Sequence, residues 1–240
     1  MNIITHVFKS SLGKKYVMAV TGSVLFLFVI GHLVGNLQIF LGPEAINRYG
    51  YFLQSNPELI WPARLSLLLM VGLHIWSATI ISLENKAARP VSYAVYQPVG
   101  SSYASRTMLI GGSIVFVFII YHLLHYTAQV QYLNFTGQNF ETFMEKLPGQ
   151  FPPERHDIFK MMVVGFSNAW VSGFYVLGLA LLSLHLSHGA SSMFQSLGWK
   201  SEAYRPFLDN AARVVAVVIF LGYTSIPVAI LCGYGKEALR

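Results

Sequence analysis

The sequence predicts an all-α fold, an integral membrane bundle of five transmembrane helices. Of its 240 residues, 54% are hydrophobic and only 11% are charged, and the mean hydropathy is +0.53. Soluble domains carry about 25% charged residues, so this chain has too few to cover a water-facing surface. A helix needs about 20 apolar residues to cross a hydrocarbon core of about 30 Å, and five stretches meet that requirement.

The predicted spans are, in order, Val17–Leu41, Ala63–Leu83, Thr107–Val130, Met162–His188 and Ala211–Gly233. The first follows a short basic segment, but it is too long for a signal-peptide core and lacks a small-residue cleavage site. We therefore expect it to be retained. The fourth is longer than a span needs, which predicts tilt or a projecting end. There is no tandem repeat, and we expect a single transmembrane domain over residues 1–240.

Two of the loops are predicted to contain short helices. Pro43 and Glu44 suit a first helical turn, and apolar residues then recur at helical spacing. This pattern predicts a helix lying in the membrane interface over Pro43–Asn56. The loop Gln131–Lys160 is longer, polar and punctuated by proline, and we expect a short helix over Phe140–Leu147.

The distribution of charge predicts the orientation of the chain. When the loops are counted in alternation, nine Lys and Arg residues lie on the side of the N-terminus and seven on the other side. Three acidic residues lie on the side of the N-terminus and seven on the other. Since cytoplasmic loops carry the excess of positive charge, we expect the N-terminus to be cytoplasmic.

Composition and motifs exclude several classes of function. One cysteine, Cys232, rules out a disulfide framework, a Cys-based zinc site and an iron–sulfur cluster held by this chain alone. The net charge of +6 is not gathered into a basic stripe with interleaved aromatic residues, so we expect no nucleic-acid partner. Dinucleotide-binding, P-loop and serine-hydrolase motifs are also absent from the sequence.

Histidines carry the functional signal. Six of the eight fall inside the predicted spans: His32, His74, His122, His125, His185 and His188. Ionisable groups at membrane depth are rare and mark function. Each of the first four spans has at least one histidine in its later half, and the fifth has none. The other two, His6 and His156, lie outside the spans, and we expect them to be solvated.

Alternating span directions bring four of these histidines to two depths. His32 and His122 each lie 15 residues into outward-running spans, about 22 Å along the helix, which predicts a pair in the outer leaflet. His74 and His185 lie late in inward-running spans, which predicts a pair in the inner leaflet. A six-coordinate b-type haem needs two neutral imidazoles as axial ligands. We therefore predict two haem b groups whose iron is bound by these four side chains, although a lone intramembrane histidine is more often an interhelical hydrogen-bonding group.

The two remaining intramembrane histidines are expected to be polar neighbours of a haem or of the lipid headgroups. His125 and His188 each lie three residues beyond a predicted ligand, turned by about 60° on the helix and nearer the water. Either could replace its neighbour as a ligand. Glycines in the spans allow close helix approach or leave room for a macrocycle: Gly31, Gly35, Gly72, Gly173 and Gly178.

Four motifs in order resemble those of a known family. They are GHLVGN at His32, GLHIW at His74, YHLLHY at His122 and GFYVLGLALLSLHLSHG, which contains His185. The chain resembles, over essentially its whole length, the single-chain, five-helix, two-haem cytochrome b subunit of succinate dehydrogenases and fumarate reductases. The resemblance implies that the histidines of the first and third helices bind a distal haem b. Those of the second and fourth would bind a proximal haem b.

The resemblance also implies a role in the respiratory chain. The protein would anchor an FAD-containing flavoprotein and an iron–sulfur subunit on the cytoplasmic side of a prokaryotic inner membrane. Electrons would pass through the two haems to a membrane quinone, often menaquinone in such enzymes. The chain would be enzymatic only as the quinone-reactive subunit of a succinate:quinone oxidoreductase, with the dicarboxylate chemistry on its partners. Asn36, one turn beyond His32, is a candidate neighbour of the quinone, and a plain interhelical hydrogen bond is the alternative.

Two other functions stay open at this point. The chain could be the di-haem cytochrome b subunit of another quinone-linked dehydrogenase, acting on hydrogen or formate, which would use the same histidine pairs. A haem-free transporter with a histidine proton relay is a more remote alternative. Broken helices or an intramembrane charge pair would favour the transporter, but Pro227 is the only proline well inside a predicted span.

Overall fold

The computed structural model describes residues 7–88, 103–149 and 151–239. Within those residues five helices are long and apolar enough to cross a membrane, which confirms the predicted fold class, an all-α membrane bundle. The chain is therefore a multi-pass membrane protein. The helices of the described residues are α1 (Ser11–Leu37), α2 (Pro43–Gln54), α3 (Pro57–Ala87), α4 (Tyr103–His122), α5 (Ile158–Ser167), α6 (Ala169–Ser196) and α7 (Arg205–Leu231).

Most of the membrane helices extend beyond the apolar stretches that predicted them. Helix α3, for example, starts at Pro57 and continues to Ala87, because its ends are polar but still helical. Helix α4 ends at His122 and passes into a π-helical turn, Leu123–Thr127, whereas the prediction ran to Val130. A π turn accommodates an extra residue in the helical ladder, and hydropathy does not report it.

The fourth predicted span is divided in the structure. Residues from Met162 onward were expected to form one span, but α5 ends at Ser167 and α6 begins at Ala169. Asn168 between them has an extended backbone, and its side-chain oxygen accepts hydrogen bonds from the backbone N–H groups of Trp170 and Val171 at 2.9 and 3.2 Å. Because an asparagine in this position caps the start of a helix, the break follows from its side chain rather than from hydropathy.

The helix expected after the first span is confirmed. Helix α2 has proline at its start and Glu44 in its first turn, where a negative charge interacts favourably with the helix dipole. Gly42 precedes it with φ of 99°, a conformation that glycine adopts without steric cost. The chain can therefore turn sharply between α1 and α2.

The helix expected over Phe140–Leu147 is wrong. This segment forms a 3₁₀ turn, Phe140–Thr142, and then strand β1 (Met144–Lys146), which pairs antiparallel with β2 (Glu154–His156). Glu145 pairs with Arg155 across the hairpin, and opposite charges at facing positions favour a strand pair. His156 was expected to be solvated, but its Nε2 lies 3.0 Å from the Phe140 carbonyl oxygen and its Nδ1 is buried. His6 lies outside the described residues.

The chain divides into two compact units, and each of the five long membrane helices supplies residues to both. The first unit contains Met1–Val29, Ala63–Ser113 and Ser183–Val217, and the second contains Ile30–Pro62, Ile114–Leu182 and Val218–Arg240. Large apolar side chains of the first unit, such as Val20, Leu65 and Leu68, are more than half exposed. A lipid-facing surface explains this exposure, since soluble monomers rarely expose large contiguous apolar patches.

Ion pairs join the helix ends of the first unit. Lys14 of α1 is 4% exposed and forms an ion pair with Glu84 of α3. Lys200 donates hydrogen bonds at 2.6 Å to both Asp209 and Ser191. Each buried ammonium group therefore has a carboxylate partner, which offsets the cost of removing it from water.

A polar cluster around Arg155 stabilises the loop region of the second unit. Arg155 is 6% exposed, donates from Nε to Glu145 at 2.7 Å and forms an ion pair with Glu44 of α2. Asn47, fully buried on α2, donates to both Glu145 and Asp157, at 3.0 and 3.1 Å. These ion pairs and hydrogen bonds link α2, the hairpin and the start of α5, and they therefore stabilise the packing of the three elements against one another.

Candidate haem sites formed by two histidine pairs

The structure brings the four predicted ligands together in the predicted combinations. The imidazole rings of His32 and His122, both in the second unit, have centroids 5.8 Å apart and planes at 80°. Those of His74 and His185, both in the first unit, have centroids 6.3 Å apart and planes at 68°. All four residues are partly accessible.

The environment of His74 leaves one ring nitrogen available to a metal. Its Nδ1 lies 3.2 Å from the Thr21 hydroxyl of α1. That hydroxyl lies 2.7 Å from the Val17 carbonyl oxygen, to which it donates its hydrogen. The Thr21 oxygen therefore accepts from Nδ1–H of His74, and the unprotonated Nε2 is left as a metal ligand, an arrangement usual for metal-binding histidines.

Glycines on neighbouring helices face both histidines of the first unit. A Cβ atom on Gly22 would lie 3.2 Å from Cε1 of His74, and one on Gly112 would lie 3.3 Å from Cε1 of His185. Both distances are shorter than an optimal carbon–carbon contact of about 3.5–4.0 Å. Any side chain larger than that of glycine would therefore press on the ring. We infer that Gly22 and Gly112 allow the two imidazoles to lie close to the neighbouring helix backbones.

His185 carries an unsatisfied polar atom. Its Nδ1 is buried and has no hydrogen-bond partner among the described residues. A buried polar group without a partner costs free energy, so it needs a compensating interaction. Metal ligation through Nε2 would leave this Nδ1 without a partner among the described residues, so the orphaned atom does not itself support a haem.

Aromatic side chains enclose the pair of the second unit. Tyr223 lies 6.2 Å from His32, and Phe118 and Tyr175 lie 6.3 and 5.9 Å from His122, measured between ring centroids. The Tyr175 hydroxyl is 3.3 Å from Nδ1 of His122, the same kind of contact that Thr21 makes with His74. In each pair, therefore, one histidine has a hydroxyl group at Nδ1.

The ring separations fit a bis-imidazole haem. Two imidazoles on opposite sides of one metal ion have ring centres about 6 Å apart, because a metal–nitrogen bond is about 2 Å and the ring centre lies about 1 Å further. The observed separations are 5.8 and 6.3 Å. In the described part of the chain, no group of three or more His, Cys, Asp or Glu side chains could hold a metal ion. A haem needs only two ligands from the protein, since the porphyrin supplies four.

Asn36 and His188 lie outside the two pairs. The amide nitrogen of Asn36 donates at 2.7 Å to the carbonyl oxygen of His32 on its own helix, so its hydrogen bond is intrahelical rather than interhelical. Nε2 of His188 lies 3.0 Å from the Ser192 hydroxyl, also on its own helix. Both side chains are polar neighbours of a candidate ligand, one turn or less away along the helix.

The protein itself covers the side chain of His125. It is fully buried in the π turn after α4, and its ring packs against Tyr126 at 4.0 Å and Phe140 at 5.6 Å between centroids. Its Nδ1 lies 3.0 Å from the Tyr175 hydroxyl. The folded loop with Phe140 covers this side of the turn, which distance along the chain does not predict.

Several residues of the two sites were missed from the sequence. Thr21, Gly22, Gly112 and Tyr175 carry no signal of their own, since small and aromatic residues are common in membrane helices. Of the glycines that were singled out, Gly35 and Gly178 would meet Tyr49 and Phe118, which makes them sites of close packing. Within the described residues, nothing lies within 4 Å of a Cβ on the other three, namely Gly31, Gly72 and Gly173.

Comparisons with protein-family models, with curated proteins and with solved structures gave no match to this chain.

Proposed function

We propose that this chain is the membrane-anchor and electron-transfer subunit of a succinate:quinone oxidoreductase. The proposal rests on the two pairs of imidazole rings. Their ring-centre separations of 5.8 and 6.3 Å suit two bis-histidine haems. The order of the histidine motifs along the chain supports the same assignment. His32 and His122 would hold one haem b, and His74 and His185 the other.

Haem b, when bound, supplies reversible one-electron chemistry at its iron. The chain's own residues prepare the ligands for it. Thr21 and Tyr175 accept a hydrogen bond from Nδ1 of His74 and His122, which presents Nε2 to the metal and makes it more basic. Gly22 and Gly112 keep the rings of the first-unit pair in place. The apolar helices exclude water, which favours electron transfer over side reactions.

The partners follow from what this chain lacks. It has one cysteine and no dinucleotide-binding motif, so an FAD flavoprotein and an iron–sulfur subunit would oxidise succinate or reduce fumarate. They would dock on the cytoplasmic side of a prokaryotic inner membrane, on the side of the N-terminus, where nine of the 16 Lys and Arg residues are expected. A membrane quinone, in many such enzymes menaquinone, would exchange electrons with the haems.

The test is to purify the tagged full-length chain from its native membrane with whatever subunits it retains. We expect a reduced-minus-oxidised spectrum of b-type cytochrome, two haems per chain by pyridine haemochrome, and a copurifying flavoprotein. Succinate should reduce the haems, and added quinone should reoxidise them. Reduction by hydrogen or formate instead would replace the proposal with a cytochrome of another dehydrogenase. Folded protein without haem would refute both and favour the transporter.

A further inference from the structure

We propose that Tyr175 is a positioning residue that fixes the tautomer of His122 and lowers the reduction potential of the haem bound there. The inference rests on the proposed function, because it concerns a haem ligand. It adds two residues, Tyr175 and His125, that act on the iron through His122 without touching it.

Tyr175 lies between two imidazoles. Its side chain is 4% exposed on α6, and its hydroxyl oxygen is 3.3 Å from Nδ1 of His122 and 3.0 Å from Nδ1 of His125. The two histidines belong to successive elements, the end of α4 and the π turn that continues it. In this turn the backbone N–H of Ala128 bonds to the carbonyl of Leu123 at 2.7 Å, the i to i+5 spacing of a π-helix.

The number of hydrogens determines the direction of these hydrogen bonds. A phenol has one hydrogen to donate, and a neutral imidazole has one N–H and one acceptor nitrogen. If His122 binds iron through Nε2, its hydrogen is on Nδ1 and is donated to the Tyr175 oxygen. Tyr175 then donates its own hydrogen to Nδ1 of His125, which must carry its proton on Nε2. With the hydrogen of His122 on Nδ1, this arrangement makes both contacts hydrogen bonds and uses the single hydrogen of the phenol.

The packing around His125 confines its ring. Its residue is fully buried, and its Nε2 has no hydrogen-bond partner among the described residues. A Cβ on Gly165 would lie 3.3 Å from that Nε2 and 2.6 Å from the Tyr126 hydroxyl, so a larger residue there would displace the ring. Confined in this way, His125 keeps its Nδ1 at the Tyr175 hydroxyl, 3.0 Å away.

A hydrogen bond at Nδ1 changes the metal through the ligand. An acceptor at the N–H of an axial imidazole makes the ligand more basic, which stabilises ferric iron and lowers the reduction potential. A phenol that donates to a second imidazole is a better acceptor than one that does not, because hydrogen bonds in a chain polarise one another. In the first unit Thr21 has the corresponding role for His74, with the Val17 carbonyl as its own acceptor.

The experiment is a redox titration of both haems in the purified full-length complex. Tyr175→Phe removes the acceptor and should raise the potential of the His32–His122 haem only. Loss of a ligand's outer partner changes metal affinity or activity by about 10- to 100-fold, and we expect an effect of this size on the redox equilibrium. At the lower limit the ferric-to-ferrous ratio falls about tenfold at a fixed ambient potential, which is 59 mV for one electron. The matched control Thr21→Val should move the other haem and leave this one unchanged.

Variants of His125 test whether the hydrogen bond between Tyr175 and His125 affects the haem potential. His125→Leu removes the acceptor for Tyr175 and should shift the same haem in the same direction, by less than Tyr175→Phe. His125→Asn offers an amide oxygen close to the position of Nδ1 and should restore the original potential. Equal potentials in the Leu and Asn variants would overturn the relay, even if Tyr175→Phe fails to retain its haem.

The outcomes also separate the two proposals. Wild-type complex without haem overturns both the proposed function and this inference. Wild-type complex with two haems, combined with a Tyr175→Phe variant whose two potentials are unchanged or shift together, overturns the inference alone. The inference is supported if Tyr175→Phe shifts only the potential of the His32–His122 haem and Thr21→Val shifts only that of the His74–His185 haem.

Discussion

The pairing of the histidine rings predicts how paired substitutions combine. Replacing any one of the four ligands by alanine removes an imidazole whose ring centre is only 5.8 or 6.3 Å from that of its partner. If each pair holds a haem as proposed, the methyl group of alanine cannot reach the iron across that gap, and the site would lose its six-coordinate, low-spin character. Each single variant should therefore keep one six-coordinate haem of the two.

Double variants distinguish this pairing from any other. His74→Ala combined with His185→Ala removes both ligands of one site, so one six-coordinate haem should remain, as in each single variant. His32→Ala combined with His74→Ala removes one ligand from each site, and none should remain. Residues that act as a unit are non-additive, whereas independent sites add, and the count of remaining haems measures this directly.

The assay is low-temperature EPR of the ferric protein, with total haem measured by pyridine haemochrome. His188→Ala is the matched control, because this histidine bonds to Ser192 on its own helix and should keep both low-spin signals. A His32/His74 double variant with one intact low-spin haem would refute the pairing. So would a His74/His185 double variant with none.

Further predictions concern packing and charge. Gly22→Val places a branched side chain where even a Cβ would be 3.2 Å from His74, and EPR should show loss of that low-spin haem alone. In Gly178→Ala the added methyl overlaps the Phe118 ring, and overpacking should lower stability by about 1–3 kcal/mol in thermal unfolding in detergent. The hydrogen bond from Arg155 lowers the pKa of the Glu44 carboxyl. Its stabilising effect is therefore present at neutral pH and is lost as the pH falls through the lowered pKa of this carboxyl. Circular dichroism in detergent should show unfolding at lower temperature in that acid range.

The stability and pH predictions each have a control. Gly173→Ala lies on the same helix as Gly178 but has nothing within 4 Å of its Cβ among the described residues, so stability should not fall; equal losses would contradict the packing argument. Glu44→Gln should remove that part of the pH dependence while costing no more than about 1 kcal/mol at neutral pH, because the carboxyl side chain is 66% exposed. An unchanged pH profile would contradict the role of this pair.

The functional predictions from sequence came from histidine, a residue type that costs free energy when it lies inside a membrane. A histidine at membrane depth needs a partner wherever it lies, and a constant rise per residue relates its place in the helix to its depth. Those two facts were enough to predict that His32 would meet His122 and that His74 would meet His185. They said nothing of Thr21 or Tyr175, which can lie anywhere in a membrane helix at little cost.

Local properties and tertiary contacts account for different parts of this protein. Hydropathy is a sum over neighbouring residues, so the sequence alone was enough to predict five membrane helices and the short helix α2. It could not determine the break at Asn168, the hairpin or the burial of His125, because these depend on single side-chain hydrogen bonds and on the packing of the folded loop. The hydroxyls at Nδ1 of His74 and of His122 each come from a residue 53 positions away. Only the tertiary structure decides such contacts, since they depend on how each helix is rotated about its own axis against its neighbours.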